Sequence, residues 1–362
     1  MRFPTVISRR FPGQPSASGT EETTTRVRKF RLGATFFPLS RRRAAISSTI
    51  LVALTVLGNI PASAGKVIST IPVGPNPVGV AIAPDGSKAY VANQGSDTVS
   101  VLDVASRTVT SAIRFGDAPT SVAFTPDGSK AYVTNQLSGT VSVVDVASGG
   151  VASTIRVGDG AYDVAFTPDG SKAYVTNNRS YTVSVINAAS GTVTSTIPLR
   201  TIPMNVAFTP DGSKAYVTGG GVEVIDVASG TVTSSVMAGE NPFGIAFTPD
   251  GSKAFVTNYG SSGTHTVSVI GVASGTVTAT IPVGSGPMNV AIARDGATAY
   301  VTNYFSNTVS VIDVVSGTVA STISVGEGPV GVALTPNGSA AYVTNNVSSV
   351  VSVITVESAP AG

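Results

Sequence analysis

The chain has 362 residues, 42% of them apolar and only 12% charged, with no cysteine, no tryptophan and one histidine. This composition excludes a disulfide framework, a thiolate metal site, a cysteine nucleophile and any multi-histidine metal centre. The formal charge of +2 hides two different materials: residues 1–64 carry ten Lys/Arg against Glu21 and Glu22, while the remainder carries twelve against eighteen acids.

The first element in chain order is that basic segment. Arg41-Arg42-Arg43 precede an apolar run from Ile50 to Leu57, and Pro61-Ala-Ser-Ala64-Gly65 follows. A basic n-region, a short h-region and an Ala-x-Ala site form the pattern of a secretory signal, so residues 1–64 are expected to be a leader cleaved after Ala64. The apolar run is short for a membrane span, and no transmembrane span is expected in the mature chain. The expected location is secreted, periplasmic or at the cell surface.

Next comes an isolated strand pattern, Lys66 to Val73, and after it one phrase repeats seven times. Its Pro-Asp-Gly turn places an Asp or Asn at Asp85, Asp127, Asp169, Asp211, Asp250, Asp295 and Asn337, in steps of 42, 42, 42, 39, 45 and 42 residues. A repeat of this length, built of short strands and turns, predicts a β-propeller blade of four strands. In the second repeat the strands are expected at 120–125, 130–135, 140–146 and 151–156. Pro126-Asp-Gly-Ser129 and Ala147-Ser-Gly149 are the turns. The Val-Ala-Phe and Ala-Tyr-Val cores read as inner strands buried on both faces. The fourth strand alternates Val/Ile with Thr/Ser, as an outer strand should.

The chain ends after a third strand, Val350 to Val356, so the seventh blade lacks its fourth. Lys66–Val73 supplies it. The expected fold is all-β: a seven-bladed propeller over 65–358, closed by an N-terminal outer strand that completes the last blade, with a short tail at 359–362. Closure of this kind removes an exposed sheet edge.

Tyr-Val-Thr-Asn preceded by Pro-Asp-Gly-Ser-Lys-Ala resembles the YVTN family of β-propeller repeats found in bacterial and archaeal exported and surface-layer proteins. The resemblance covers about residues 66–358. Departures include Ala92 for Thr in blade one, Gly219 for Asn in blade four and Phe255 for Tyr in blade five. The resemblance implies a surface or periplasmic binding and scaffold role, and no shared catalytic site.

Residues that break the repeat are the ones to weigh for function. The Asp and Lys of the repeated turns neutralise each other on one face, so nucleic acid is not expected as a partner. The strand-end Asn93, Asn135, Asn177, Asn258, Asn303 and Asn345 are expected to cap the following turn. Irregular residues fall in the two connections of the opposite face: Tyr162, Arg179, Tyr181, Arg200, Phe243, Tyr259, His265, Tyr304 and Phe305. Aromatics and Arg on loops held by a rigid scaffold are the binding hot-spot types. Blade five's second-to-third connection, 258–266, is three residues longer than its siblings, and blade four's is three shorter. Asp117, Asp159, Asp163, Glu240 and Glu327 are assigned to the same face, but no ligand-dense loop joins them, so neither a metal nor a cofactor is expected.

The expected function is a binding or scaffold module for an envelope protein, peptide or glycan. One alternative is a lactonase- or lyase-type enzyme with His265 and Glu240 as the acid–base pair. Another is a self-assembling surface-layer component.

Overall fold

The computed structural model describes residues 65–260 and 263–356; the expected leader over 1–64 and the tail at 359–362 lie outside them. Twenty-eight strands pair into seven four-stranded antiparallel sheets arranged as a β-propeller. No helix occurs among the described residues.

Blade two shows how the repeat writes the sheet. Its strands, from the axis outward, are Pro119–Phe124, Lys130–Asn135, Thr140–Asp145 and Gly150–Arg156. Pro126 opens the first turn and Gly128 sits at φ 71°, where a β-carbon is penalised. The Gly128 N–H donates to the Thr125 carbonyl at 2.8 Å. Asp127 Oδ1 accepts from the Ser129 N–H at 3.0 Å and from the Ser129 hydroxyl at 2.9 Å, which fixes the Asx turn. The turn therefore specifies itself, without help from the rest of the ring.

Burial is graded across the blade. The second and third strands are buried almost throughout, and the outer strand is exposed except at Ile155. The inner strand differs from the expectation: Ala123 and Phe124 are only half-buried, because one edge of every inner strand faces the axis. Apolar packing lies between blades. Tyr132 of blade two joins Val164, Val175 and Ile186 of blade three in one cluster, and its ring meets Phe166 at 4.8 Å between centroids and 67°. The same edge-to-face pair recurs as Tyr90–Phe124, Tyr174–Phe208 and Tyr216–Phe247. Such pairs add to area burial, and here each one joins two neighbouring blades.

The Thr of the repeat ties the blades by hydrogen bonds. Thr302 Oγ1 accepts from the Asn289 N–H of its own inner strand at 3.0 Å and donates to Val330 O of the next blade at 2.7 Å. Thr176 and Thr344 donate in the same way to Met204 O and Val78 O, and Thr218 to Phe243 O. Blade one has Ala92 at this place, fully buried and without a hydroxyl.

The ring closes as the strand count requires. Val67–Pro72 pairs antiparallel with Val350–Thr355, with Thr70 opposite Ser352 and Ile71 opposite Val351. Ile71 packs against Val91 and Leu102 of blade one and against Tyr342 and Val353 of blade seven. The N-terminal strand thus holds the first blade to the last.

Candidate functional site

The second-to-third and fourth-to-first connections emerge on one face and hydrogen-bond to each other: Gln136 N donates to Ala118 O, and Tyr304 N to Gly286 O. The nine irregular residues do not form one site. They divide into a rim cluster, an axial pair and three dispersed side chains.

The rim cluster joins blades five and six. The Tyr259 and Phe305 rings lie 5.8 Å apart, and Tyr304 meets Phe305 edge-on at 5.2 Å. Burial raises the Tyr259 phenol above its ordinary value, with a smaller push from Tyr304. His265 stands at the end of the lengthened connection. Its Nδ1 lies 3.1 Å from Tyr259 O and its Nε2 lies 2.9 Å from Ser285 Oγ. A carbonyl can only accept, so Nδ1 carries the proton and Nε2 accepts from the serine. Both ring nitrogens are thus engaged by groups other than the expected partner Glu240. Ser285 was not among the sequence candidates, because a lone Ser in a Ser-rich chain gives no signal.

Tyr162 and Phe243 were expected on the connections and are instead on inner strands, Ala161–Phe166 and Pro242–Phe247. Their rings meet edge-on at 6.0 Å and 90° and line an axial cavity of about 220 Å³. Asp163 is likewise not a loop carboxylate but a wall of that cavity. The repeat itself places them there: Tyr162 and Phe243 stand at the position of Thr120, and Asp163 at that of Ser121, in the strand expected over 120–125. Asp163 Oδ1 accepts from the Ser121 hydroxyl at 2.6 Å and Oδ2 from the Val206 N–H at 2.9 Å. Asp163 is half-buried in that wall, and loss of hydration raises its pKa despite these donors. Burial, with Asp163 beside it, also raises the Tyr162 phenol.

Arg179 and Tyr181 stand exposed on the blade-three connection, Arg200 on the one entering blade four, away from the aromatic cluster. Asp117, Asp159 and Glu327 are exposed on separate connections. No three of His, Cys, Asp and Glu come together among the described residues.

The strand-end Asn side chains do not cap the following turn. They are buried and bridge to the third strand: Asn135 Nδ2 donates to Thr140 Oγ1 at 3.0 Å and to Ser142 Oγ at 2.9 Å. Blade four has neither partner. Gly219 replaces the Asn and Glu223 the Ser. Buried Glu223 takes over from below, its Oε1 accepting from Arg200 N at 2.9 Å and from Thr201 N at 3.0 Å.

The fold and its two loop-end sites define a seven-bladed β-propeller with a patterned rim and a polar axial cavity. In sequence, residues 49–180 match the model of the YNCE-like beta-propeller family. That stretch includes the closing strand and blades one and two, and runs to the second strand of blade three. No curated protein matches the chain. Among solved structures it is similar to a chain of Kuenenia stuttgartiensis hydrazine synthase. The two are 26% identical with a TM-score of 0.74, over 83% of this chain and 99% of that one.

Proposed function

We propose that the protein is an exported binding module that presents its loop face to a protein or peptide partner. The observation that carries this reading is the distribution of exposed apolar side chains. Leu137, Tyr181, Ile202, Met237, Phe305 and Val347 all stand on the connections of the loop face, whereas the other four exposed large hydrophobics are valines, three on outer strands and one on an opposite turn. Met237 is 79% exposed and Phe305 58%. Single exposed apolar residues are ordinary, but their gathering on one face marks an interaction surface. Aliphatic groups mixed with aromatics suit a protein surface better than a glycan. The basic leader and Ala-x-Ala site support export.

The test is capture from an envelope extract by the full chain, beside a variant with Leu137, Phe305 and Val347 changed to Ser. Loss of a specific partner by an equally stable variant supports the reading. Equal capture by both refutes it.

A second reading, hydrolysis, rests on the Ser285–His265–Tyr259 O arrangement, which has the nucleophile–base–orienter order of acyl-transfer sites. The similar hydrazine synthase chain provides a precedent for this fold in an enzyme. Ester hydrolysis by the full chain that disappears in both Ser285→Ala and His265→Ala would establish it, and activity that survives both would remove it.

A further inference from the structure

The inner-strand position that carries Asp163 is occupied around the ring by Gly79, Ser121, Asp163, Asn205, Gly244, Asn289 and Gly331. The two residues that follow are Val or Ile and then Ala in all seven blades, so this position and the one before it are where the segment varies. Ring closure does not demand an acid there, since three blades close with glycine. A β-carbon on Gly79 would lie 2.6 Å from Thr120 O, and one on Gly331 2.5 Å from Val78 O, so those blades approach closely. Blades two to four instead hold hydrogen-bonding side chains between them.

Asp163 is the only ionisable carboxylate in the cavity wall, and no Lys, Arg or His lines it. The Ser121 hydroxyl and Val206 N–H satisfy lone pairs without supplying a positive charge. A carboxylate half-buried in a cavity wall and without a counter-ion is stabilised by taking a proton or by pairing with a cation. The wall also has one acceptor to spare: Asn205 Oδ1 is buried with no partner, whereas Asn289 Oδ1 takes its own neighbour's Val290 N–H at 2.8 Å. Beside the acid stand the Tyr162 and Phe243 rings, whose faces attract cations. The volume, about 220 Å³, suits a small molecule and not a drug-sized one.

We infer that this axial cavity is a binding site for a small organic ammonium ion, with Asp163 as its counter-ion, Asn205 Oδ1 as an acceptor and the Tyr162 and Phe243 rings as its apolar wall. An anion is disfavoured by the same carboxylate, and a neutral molecule leaves the charge unanswered. The site is separate from the rim, so it stands or falls independently of the partner-binding reading.

The experiment is calorimetric titration of the full chain with choline and with methylammonium, beside 3,3-dimethylbutan-1-ol, a neutral analogue of choline. At least one of the two cations should bind with a dissociation constant of about 1 mM or below, and the alcohol should bind at least about tenfold more weakly than choline. Asp163→Asn keeps the shape and most hydrogen bonds and should lose cation binding by about tenfold or more. Tyr162→Leu keeps the charge and should weaken choline severalfold, which guards against misfolding of a single variant. Absence of binding by both cations overturns the inference. So does equal binding by Asp163→Asn, or an alcohol that binds as well as choline.

Discussion

Replacing Thr302 by Val removes one hydroxyl from a fully buried position and keeps the side-chain shape. Two groups lose their partner together: the Asn289 N–H, now 3.0 Å from Oγ1, and Val330 O, 2.7 Å away on the next blade. A buried polar group left unpaired costs about 1–3 kcal/mol, so the pair is expected to cost about 3 kcal/mol. With unfolding entropy near 2 cal/mol/K per residue over roughly 290 residues, that corresponds to a fall in Tm of about 5 °C. Blade one supplies the reverse experiment. Ala92→Thr places a hydroxyl where Gly79 N–H and Thr120 O stand in the same relation, and a gain of about 1 kcal/mol is expected from two net hydrogen bonds. Thermal and urea unfolding of the two variants beside the wild type measures both. A Thr302→Val shift within about 1 °C, which is under 1 kcal/mol here, would refute the claim that this threonine stitches the blades.

Closure gives a second prediction: Ile71→Ala, which empties a contact shared by blades one and seven, should cost about 2–5 kcal/mol in urea unfolding. Deleting Lys66–Val73 should also bare the edge of the last sheet and promote association in sedimentation, and a monomeric deletion of unchanged Tm would contradict the closure. Acid stability is a third. The turn carboxylates Asp127, Asp169 and Asp250 are held below the usual 3.8 by Thr and Ser donors, Asp169 and Asp250 to about 2. A folded-state pKa below the unfolded one means that the unfolded chain binds more protons. Stability is therefore fully present above pH 4 and lost as pH falls from about 4 towards 2. Asn337 already makes the same turn without titrating, so Asp127→Asn and Asp169→Asn together should flatten the acid limb of a Tm–pH profile.

Most of the fold is legible in the sequence because each blade specifies itself locally. The Pro-Asp-Gly-Ser turn is made by its own side chains, and the Ala-Tyr-Val-Thr-Asn segment or its close variant is buried in each blade, so seven copies and one orphan strand leave a single way to close. The axial cavity is not legible in that way. Tyr162 and Asp163 read as connection residues because Gly158-Asp-Gly160 precedes them, although they align with Thr120 and Ser121 of the strand expected over 120–125, and the pairing of Ala161 with Asn177 puts them on that strand. Which of them would meet Phe243, at the strand position of Tyr162 but two blades away, depends on the radius of the closed ring, a quantity no local pattern encodes. The rim aromatics were legible as loop residues, while their contact across blades five and six and that of His265 with Ser285 are set by how neighbouring blades meet, which no local pattern encodes.

Blade four shows a departure that the sequence records at two positions at once. Loss of the Asn at Gly219 removes the donor that reaches the third strand, and the Ser that would receive it is replaced by Glu223. The exchange is coupled through the backbone: a β-carbon at Gly219 would stand 1.8 Å from Ile202 O, so the connection at 200–203 occupies the space that the Asn side chain fills elsewhere. Glu223 then serves that connection from beneath, through Arg200 N, Thr201 N and Thr201 Oγ1. Glu223→Ser should cost about 2 kcal/mol, since a buried donor left without its acceptor costs about 1–3 kcal/mol and water can reach part of the vacated space. Restoring the repeat with Gly219→Asn and Glu223→Ser should be worse than Glu223→Ser alone, because the new side chain collides with Ile202 O. Urea unfolding of the three proteins decides it: a double variant more stable than Glu223→Ser would mean that the connection moves aside, and that blade four departs from the repeat for a reason other than packing.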